Sequence, residues 1–271
     1  MLCLCTSGAL GRYISLPPPL IIWYRVFFAL VFLGSYCYWK KFNFQLDIKK
    51  HGIVIGLSGL LMTLNFVAFF YALKWSNVAI AMLSLFTFPI MTTLLEPIFL
   101  KTSFQKVHLL LGGMVLVGIY FLAPSFDFKD DMTQGLSIGL FSAFAWAIRN
   151  LIVKRHMQEI NSSLFMFYQL AIAVVLLFPV LFIFQDESIV PQLPYLLFLG
   201  LVTTAIGHTL FLQSFNHFSV STASIMASVQ PIYGIIVAMI FLQEIPTGRS
   251  LIGGALILLT VVVESRRSLK K

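Results

Sequence analysis

The sequence predicts an all-α integral membrane protein: ten transmembrane helices forming two inverted five-helix repeats, the first helix short or incomplete. Three observations carry this expectation. Hydrophobic residues make up 59% of the chain and charged ones 10%, against about 25% charged in a soluble domain. Apolar runs of the ~20 residues needed to cross a bilayer recur throughout. The third is a duplication: sliding residues 77–122 forward by about 142 places lays Val78 on Val220, Ala81 on Ala223, Pro89 on Pro231 and Phe99-Leu100 on Phe241-Leu242. Gly112-Gly113 then falls within a residue of Gly253-Gly254. A midpoint proline breaks each copy, as in transporters built from internal repeats.

Residues 1–15 are too short for a full span, contain Arg12 and run into Pro17-Pro18-Pro19. They are expected to be the second half of a helix whose beginning lies upstream, or a shortened form. A signal peptide is disfavoured, since no basic segment or small-residue cleavage site precedes the apolar part. The remaining spans are expected at 18–38, 52–73, 77–100, 107–123, 133–153, 162–184, 191–212, 219–242 and 248–263. This divides the chain into a first repeat (1–123), an external linker (124–132), a second repeat (133–265) and a basic tail (266–271).

Charge sets the orientation. Lys40, Lys41, Lys49, Lys50, Lys101, Lys106, Lys154, Arg155, Arg266, Arg267, Lys270 and Lys271 fall on one side. The other side holds Asp127, Asp130, Asp131, Asp186, Glu187 and Glu244, with Lys74, Lys129 and Arg249. The basic side is read as cytoplasmic, with both termini inside a multi-pass protein of the cytoplasmic (inner) membrane. The net charge of +8 does not point to nucleic acid, because the basic residues are not clustered with solvated aromatics. Cys3, Cys5 and Cys37 lack metal-ligand spacing and are read as small apolar residues, not as a disulfide framework or a zinc site.

The duplication extends to span two, where Tyr24 falls on Tyr168 of span seven, Arg25 on Gln169 and Ala29 on Ala173. At 1.5 Å per residue Arg25 and Gln169 each lie roughly 10–12 Å into the membrane, and Pro89 and Pro231 about 18 Å. An aromatic-Arg pair in span two, a proline-broken span four ending in Phe99-Leu100, and Gln230-Pro231 followed by Phe241-Leu242, Glu244 and Gly253-Gly254 together resemble the drug/metabolite transporter superfamily, EamA type. Residues 142–154, SAFAWAIRNLIVK, are similar to that family's sixth helix. The resemblance covers nearly all of the chain after the first helix. One departure is that Glu244 has no acidic counterpart in the first copy, which carries Glu96-Pro97 instead. The resemblance implies a secondary transporter of exporter type, moving small organic metabolites such as amino acids or related compounds.

Arg25 is the sharpest candidate, since a charge deep in a span faces the bundle interior. It could hold a substrate carboxylate or phosphate bidentately, or tie down carbonyls or a hydroxyl of a neighbouring helix. Glu96, about 28 Å along its span, could couple proton movement; pairing with Lys101 or Lys106 is the favoured reading. Asn65, Thr87, Pro89, Trp146, Tyr168, Gln169, His208, Gln230, Pro231 and Tyr233 complete the substrate-path set. Among them Gln230, beside the break, is preferred as functional, while serines and threonines more often bond helix to helix. Arg149 and Asn150 are expected near the end of span six, with Arg149 snorkelling. The glycine pairs are expected to permit close helix approach, and Asp127, Asp130 and Asp131 to lie in a solvated loop.

A membrane enzyme acting on lipid or lipid-linked substrates is the competing class. It needs clustered catalytic groups, whereas His51, His108, His156, His208 and His217 are scattered and no intramembrane carboxylate pair is present. No filter pattern favours a channel, and no Walker motif suggests ATP hydrolysis. The expected partners are a small-molecule substrate and the lipid bilayer, with no cofactor, metal or nucleic acid. Coupling to a proton or counter-substrate and assembly as a homodimer are left open.

Overall fold

Helix follows helix along the computed structural model, which describes residues 2–45, 47–100, 107–122, 127–156, 159–185 and 187–268. Lys101, Lys106, Asp186, Lys270 and Lys271 lie outside these residues. The first half comprises α1 (Leu2–Tyr13), α2 (Pro18–Trp39), α3 (Ile48–Trp75), α4 (Val78–Leu85), α5 (Phe88–Leu100) and α6 (Val107–Leu122). The second comprises α7 (Asp131–Lys154), α8 (Ser162–Leu177), α9 (Val180–Ile183), a 3-10 turn (Val190–Gln192), α10 (Leu193–Phe198), a π-helical segment (Leu199–His208), α11 (Thr209–Ser214), α12 (Val220–Ala227), α13 (Gln230–Phe241) and α14 (Gly248–Ser268). Taken span by span, with α4–α5, α8–α9, α10–α11 and α12–α13 each forming one traverse, these are the ten expected helices.

Local polar residues set the boundaries. Asp47, Asn77, Asp130 and Asn161 each precede a helix and accept a first-turn backbone N–H with their side chains, which satisfies donors that have no intrahelical partner. Asp130 therefore caps α7 rather than merely being solvated in its loop. Pro18 opens α2, where its missing N–H costs nothing.

The two proline-associated breaks differ from simple kinks. The chain stops and restarts, at Phe86-Thr87 between α4 and α5 and at Ser228-Val229 between α12 and α13. Pro89 and Pro231 each occupy the second position of the new helix, where a proline removes no bond the helix needs. Thr87 and Ser228 donate their hydroxyls to the Ser84 and Ser224 carbonyls (2.8 and 3.1 Å), adding a side-chain bond at each break.

Packing repeats when the halves are exchanged. α1 packs on α13 and on the π-helical segment, and its counterpart α7 packs on α4, α5 and α3. α2 packs on the π-helical segment, as its counterpart α8 does on α3. The pairs α2–α8 and α6–α14 join elements to their own counterparts, and the contact of α4 with α13 is matched by that of α12 with α5. A two-fold relation between halves requires this pattern, and an odd number of traverses per half inverts one against the other. Outward-facing Ile53, Ile98, Val175 and Phe241 are strongly exposed. In water such a surface would be a liability; here it is the face turned to lipid. Among the described residues, six helices are long and apolar enough to cross a membrane, by length and composition.

The expected close approach holds for Gly253 and Gly254, where an added Cβ would meet Gly118 and Leu83, and needs correcting for Gly112 and Gly113. Gly113 has open space where a Cβ would stand, and Gly112 meets only the tip of Leu94. The close approach in α6 is made by Gly118 instead: a Cβ on Gly253 of α14 would lie 2.6 Å from the Gly118 carbonyl oxygen. Gly253→Val is expected to cost about 1–3 kcal/mol, as overpacking does. Gly113→Ala should be neutral or stabilise by up to about 1 kcal/mol through helix propensity. Thermal unfolding in detergent measures both, and equal shifts would mean that the α6–α14 contact is not limiting.

On the basic side Lys50 and His51 of α3 reach Glu159 in the α7–α8 loop at 3.0 and 3.6 Å. The hydrogen bond from Lys50 holds the Glu159 carboxyl below its ordinary range. An exposed pair of this kind adds little stability.

Candidate functional site

Where the halves meet, α1, α2, α3, α4, α5, α7, the π-helical segment, α11, α12 and α13 line a cavity, with Phe86, Phe88 and Gln230 at or beside the two breaks in its wall. Its free volume is ≈ 60 Å³, room for about two waters at ~30 Å³ each. Arg25, the single charged residue of the lining among the described residues, is 2% exposed. Its Nε–H donates to Thr204 Oγ1 (2.6 Å), and its Nη2 lies 3.2 Å from His208 Nε2. Both partners sit on the π-helical segment. The widened turn is a feature frequent at functional sites, and Gly200 within it allows the approach of α2, since a Cβ there would lie 2.7 Å from the Phe28 Cβ. The guanidinium carbon also stands 4.5 Å from the Phe66 ring centre and 5.5 Å from that of Phe70, contacts worth up to about 2 kcal/mol when desolvated.

His208 continues the cluster. Its ring packs on Phe66 and on Trp146, with centroids 5.0 and 5.4 Å away, and Trp146 stacks on Phe211. Asn65 donates twice from Nδ2 to Ser142, to its carbonyl (3.0 Å) and its hydroxyl (2.8 Å), and accepts at its own carbonyl from that hydroxyl (3.0 Å). This clamps α3 to α7 beside the cavity. Behind Trp146, the Arg149 guanidinium carbon lies 4.7 Å from that ring. Arg149 donates to Gln169 Oε1 and to Asn150 Oδ1 (3.0 Å), and Gln169 Nε2 donates in turn to Ser58 Oγ (2.7 Å). The α2-to-π-segment bond of Arg25 thus has a counterpart in the α8-to-α3 bond of Gln169.

The sequence profile of the EamA-like transporter family matches residues 1–123 and 133–266. The chain belongs to that family. An uncharacterized transporter of Archaeoglobus fulgidus is 26% identical over 203 residues, covering 75% of this chain and 73% of the relative. The pseudopaline exporter CntI of Pseudomonas aeruginosa is 24% identical over 229 residues, covering 81% of this chain and 77% of that one. A solved crystal structure superposes with a TM-score of 0.70 at 16% identity, covering 97% of this chain and 94% of the other, which speaks to the fold alone.

In this EamA-like transporter, five of the residues singled out from sequence converge on the cavity: Arg25, Asn65, Trp146, His208 and Gln230. Gln169 is buried one layer behind, on Arg149 and Ser58. Thr87, Pro89 and Pro231 build the breaks without lining the cavity. Tyr168 points away, donating to the Phe44 carbonyl (2.5 Å), and Tyr233 is 45% exposed on the outer side of α13; neither is part of this cavity. Glu96 is half-buried on α5, outside the lining and within electrostatic reach of Lys154; its expected partners Lys101 and Lys106 lie outside the described residues. Arg149 does not snorkel. It is 0% exposed, and its hydrogen bonds go to Gln169 of α8 and to its neighbour Asn150. The aromatic wall and the π-helical turn escaped the sequence reading, although the Thr203-Thr204 pair between Gly200 and Gly207 was a visible signal.

A second polar cluster lies at the opposite end from Lys154. Arg12 of α1 donates to Glu244 Oε1 (2.9 Å) and to the Leu73 and Lys74 carbonyls (2.9 and 2.8 Å) at the end of α3. Glu244 Oε2 accepts the Val78 N–H (2.9 Å) at the start of α4, and Lys74 Nζ donates to the Ile14 carbonyl. Four chain segments from both halves are joined there.

Proposed function

We propose that this EamA-like protein is a secondary transporter that exports a small organic metabolite across the cytoplasmic membrane by alternating access, with both termini inside. The observation that carries the reading is the cavity at the junction of the two repeats, where Arg25 is buried among neutral partners. Its ≈ 60 Å³ is far below the roughly 300–1,000 Å³ of a small-molecule site, so a metabolite enters only when one side opens. Rocking of one repeat against the other about such a central site is the expected movement. In this orientation the Arg12–Glu244 cluster closes the outer end, and Arg25, Asn65, Trp146, His208 and Gln230 meet the substrate. Counterflow in proteoliposomes tests the reading. Preloaded amino acids, nucleosides or sugar phosphates should drive uptake of the same labelled compound, and absence of flux for every class, with turnover of lipid by the purified protein, would replace it by the enzyme reading.

A further inference from the structure

The donors and acceptors of the central cluster do not balance. Arginine carries five N–H donors and no acceptor, so the His208 Nε2 facing Arg25 accepts and the proton resides on Nδ1. That Nδ1 is shielded from solvent without a partner, and so is the Nε of Arg149. Among the described residues both guanidinium groups are enclosed and bonded only to neutral atoms: Thr204 and His208 for one, Gln169, Asn150 and Met166 for the other. No carboxylate of the described residues lines the cavity. Glu96 is on α5, Glu244 closes the outer cluster, and Glu264 pairs with His108 between α14 and α6. What the site lacks is an anion. The rest of its wall is largely aromatic, with Phe66, Phe69, Phe86, Phe88, Trp146 and Phe211.

We infer that the transported species is an organic monoanion with a flat apolar body, an aryl- or alkyl-substituted carboxylate without a neighbouring ammonium group. The inference rests on the transporter reading above and names its substrate class. Arg25 is the one lining cation, so one carboxylate balances it. An α-ammonium would be held close to that same guanidinium with no carboxylate to pair with, and a buried unpaired charge is costly. The amide oxygens of Asn65 and Gln230 compensate only in part. The site therefore selects against zwitterions, and against cations more strongly, by leaving their positive charge unmatched.

Three compounds sharing one ring and chain length test this: 3-phenylpropionate, phenylalanine and phenethylamine, titrated into the purified full chain in lipid nanodiscs. The expected result is binding of 3-phenylpropionate about tenfold or more tighter than phenylalanine, no measurable binding of phenethylamine, and loss of the preference in Arg25→Met. Equal or tighter binding of phenylalanine or phenethylamine overturns the inference, as does absence of binding by all three. Uptake of the same labelled compounds into proteoliposomes separates the two levels. Flux of phenylalanine or phenethylamine with none of the anion ends the substrate-class inference and leaves the transporter standing, whereas absence of flux for these and for the wider metabolite set ends both.

Discussion

Replacing Arg25 by methionine is expected to abolish transport while leaving the fold standing. The transport loss follows from the charge-assisted hydrogen bonds that a guanidinium gives a carboxylate, about 1.5–3 kcal/mol each and bidentate when geometry allows. Losing such a pair lowers kcat/KM by roughly 100-fold or more. Stability responds differently. Thr204 keeps its bond to the Leu199 carbonyl (2.9 Å), so only His208 Nε2 is left without a partner, at about 1–3 kcal/mol. Against this stands the desolvation of a buried cation that no carboxylate balances, and replacing buried charge by packed apolar volume is often neutral or stabilising by about 1–4 kcal/mol. Near-cancellation is expected, with a melting temperature within a few degrees of the parent. Arg25→Lys should not rescue transport, because an ammonium cannot reproduce the planar fork over Phe66. A large fall in melting temperature with transport retained in the folded fraction would assign Arg25 to structure instead of substrate.

Glu244→Gln is expected to open the outer end. The carboxylate joins Arg12 of α1 to the first turn of α4, and the two side chains are 32% and 24% exposed, so solvent screens the pair and its worth is about 1 kcal/mol or less. A carboxylate on the first-turn Val78 N–H of α4, which has no intrahelical acceptor, adds about 1 kcal/mol, as an N-cap does. Together these shift the balance between outer-closed and outer-open forms by roughly 5- to 30-fold. The readout is labelling of Ser7→Cys, a cavity position, by a membrane-impermeant maleimide in a background with Cys3, Cys5 and Cys37 replaced by serine. Faster labelling from outside in Glu244→Gln supports the outer closure; an unchanged rate, with the variant folded, removes Glu244 from gating.

How far the sequence reached depended on what each residue needed to know about its neighbours. The spans, the two breaks, the repeat and the burial of Arg25 were legible in the chain itself, because each rests on local chemistry. Apolar length, a proline's missing N–H and a charge inside an apolar run act within one helix. Rotation about the helix axis was not legible. Spans that are apolar nearly all round carry little sign of which side faces protein and which faces lipid, so Tyr168 and Tyr233 read as well as Trp146 and His208 although only the latter pair reach the cavity. Arg149 illustrates the same limit, since a long side chain near a helix end can reach water or fold inward. Its inward course is tied to Gln169 of α8, which Ser58 of α3 holds in turn. The sequence by itself determined a duplicated membrane bundle with one costly charge inside. Only the tertiary structure decided that this charge has neutral neighbours and an aromatic wall, because those contacts come from helices far apart in the chain.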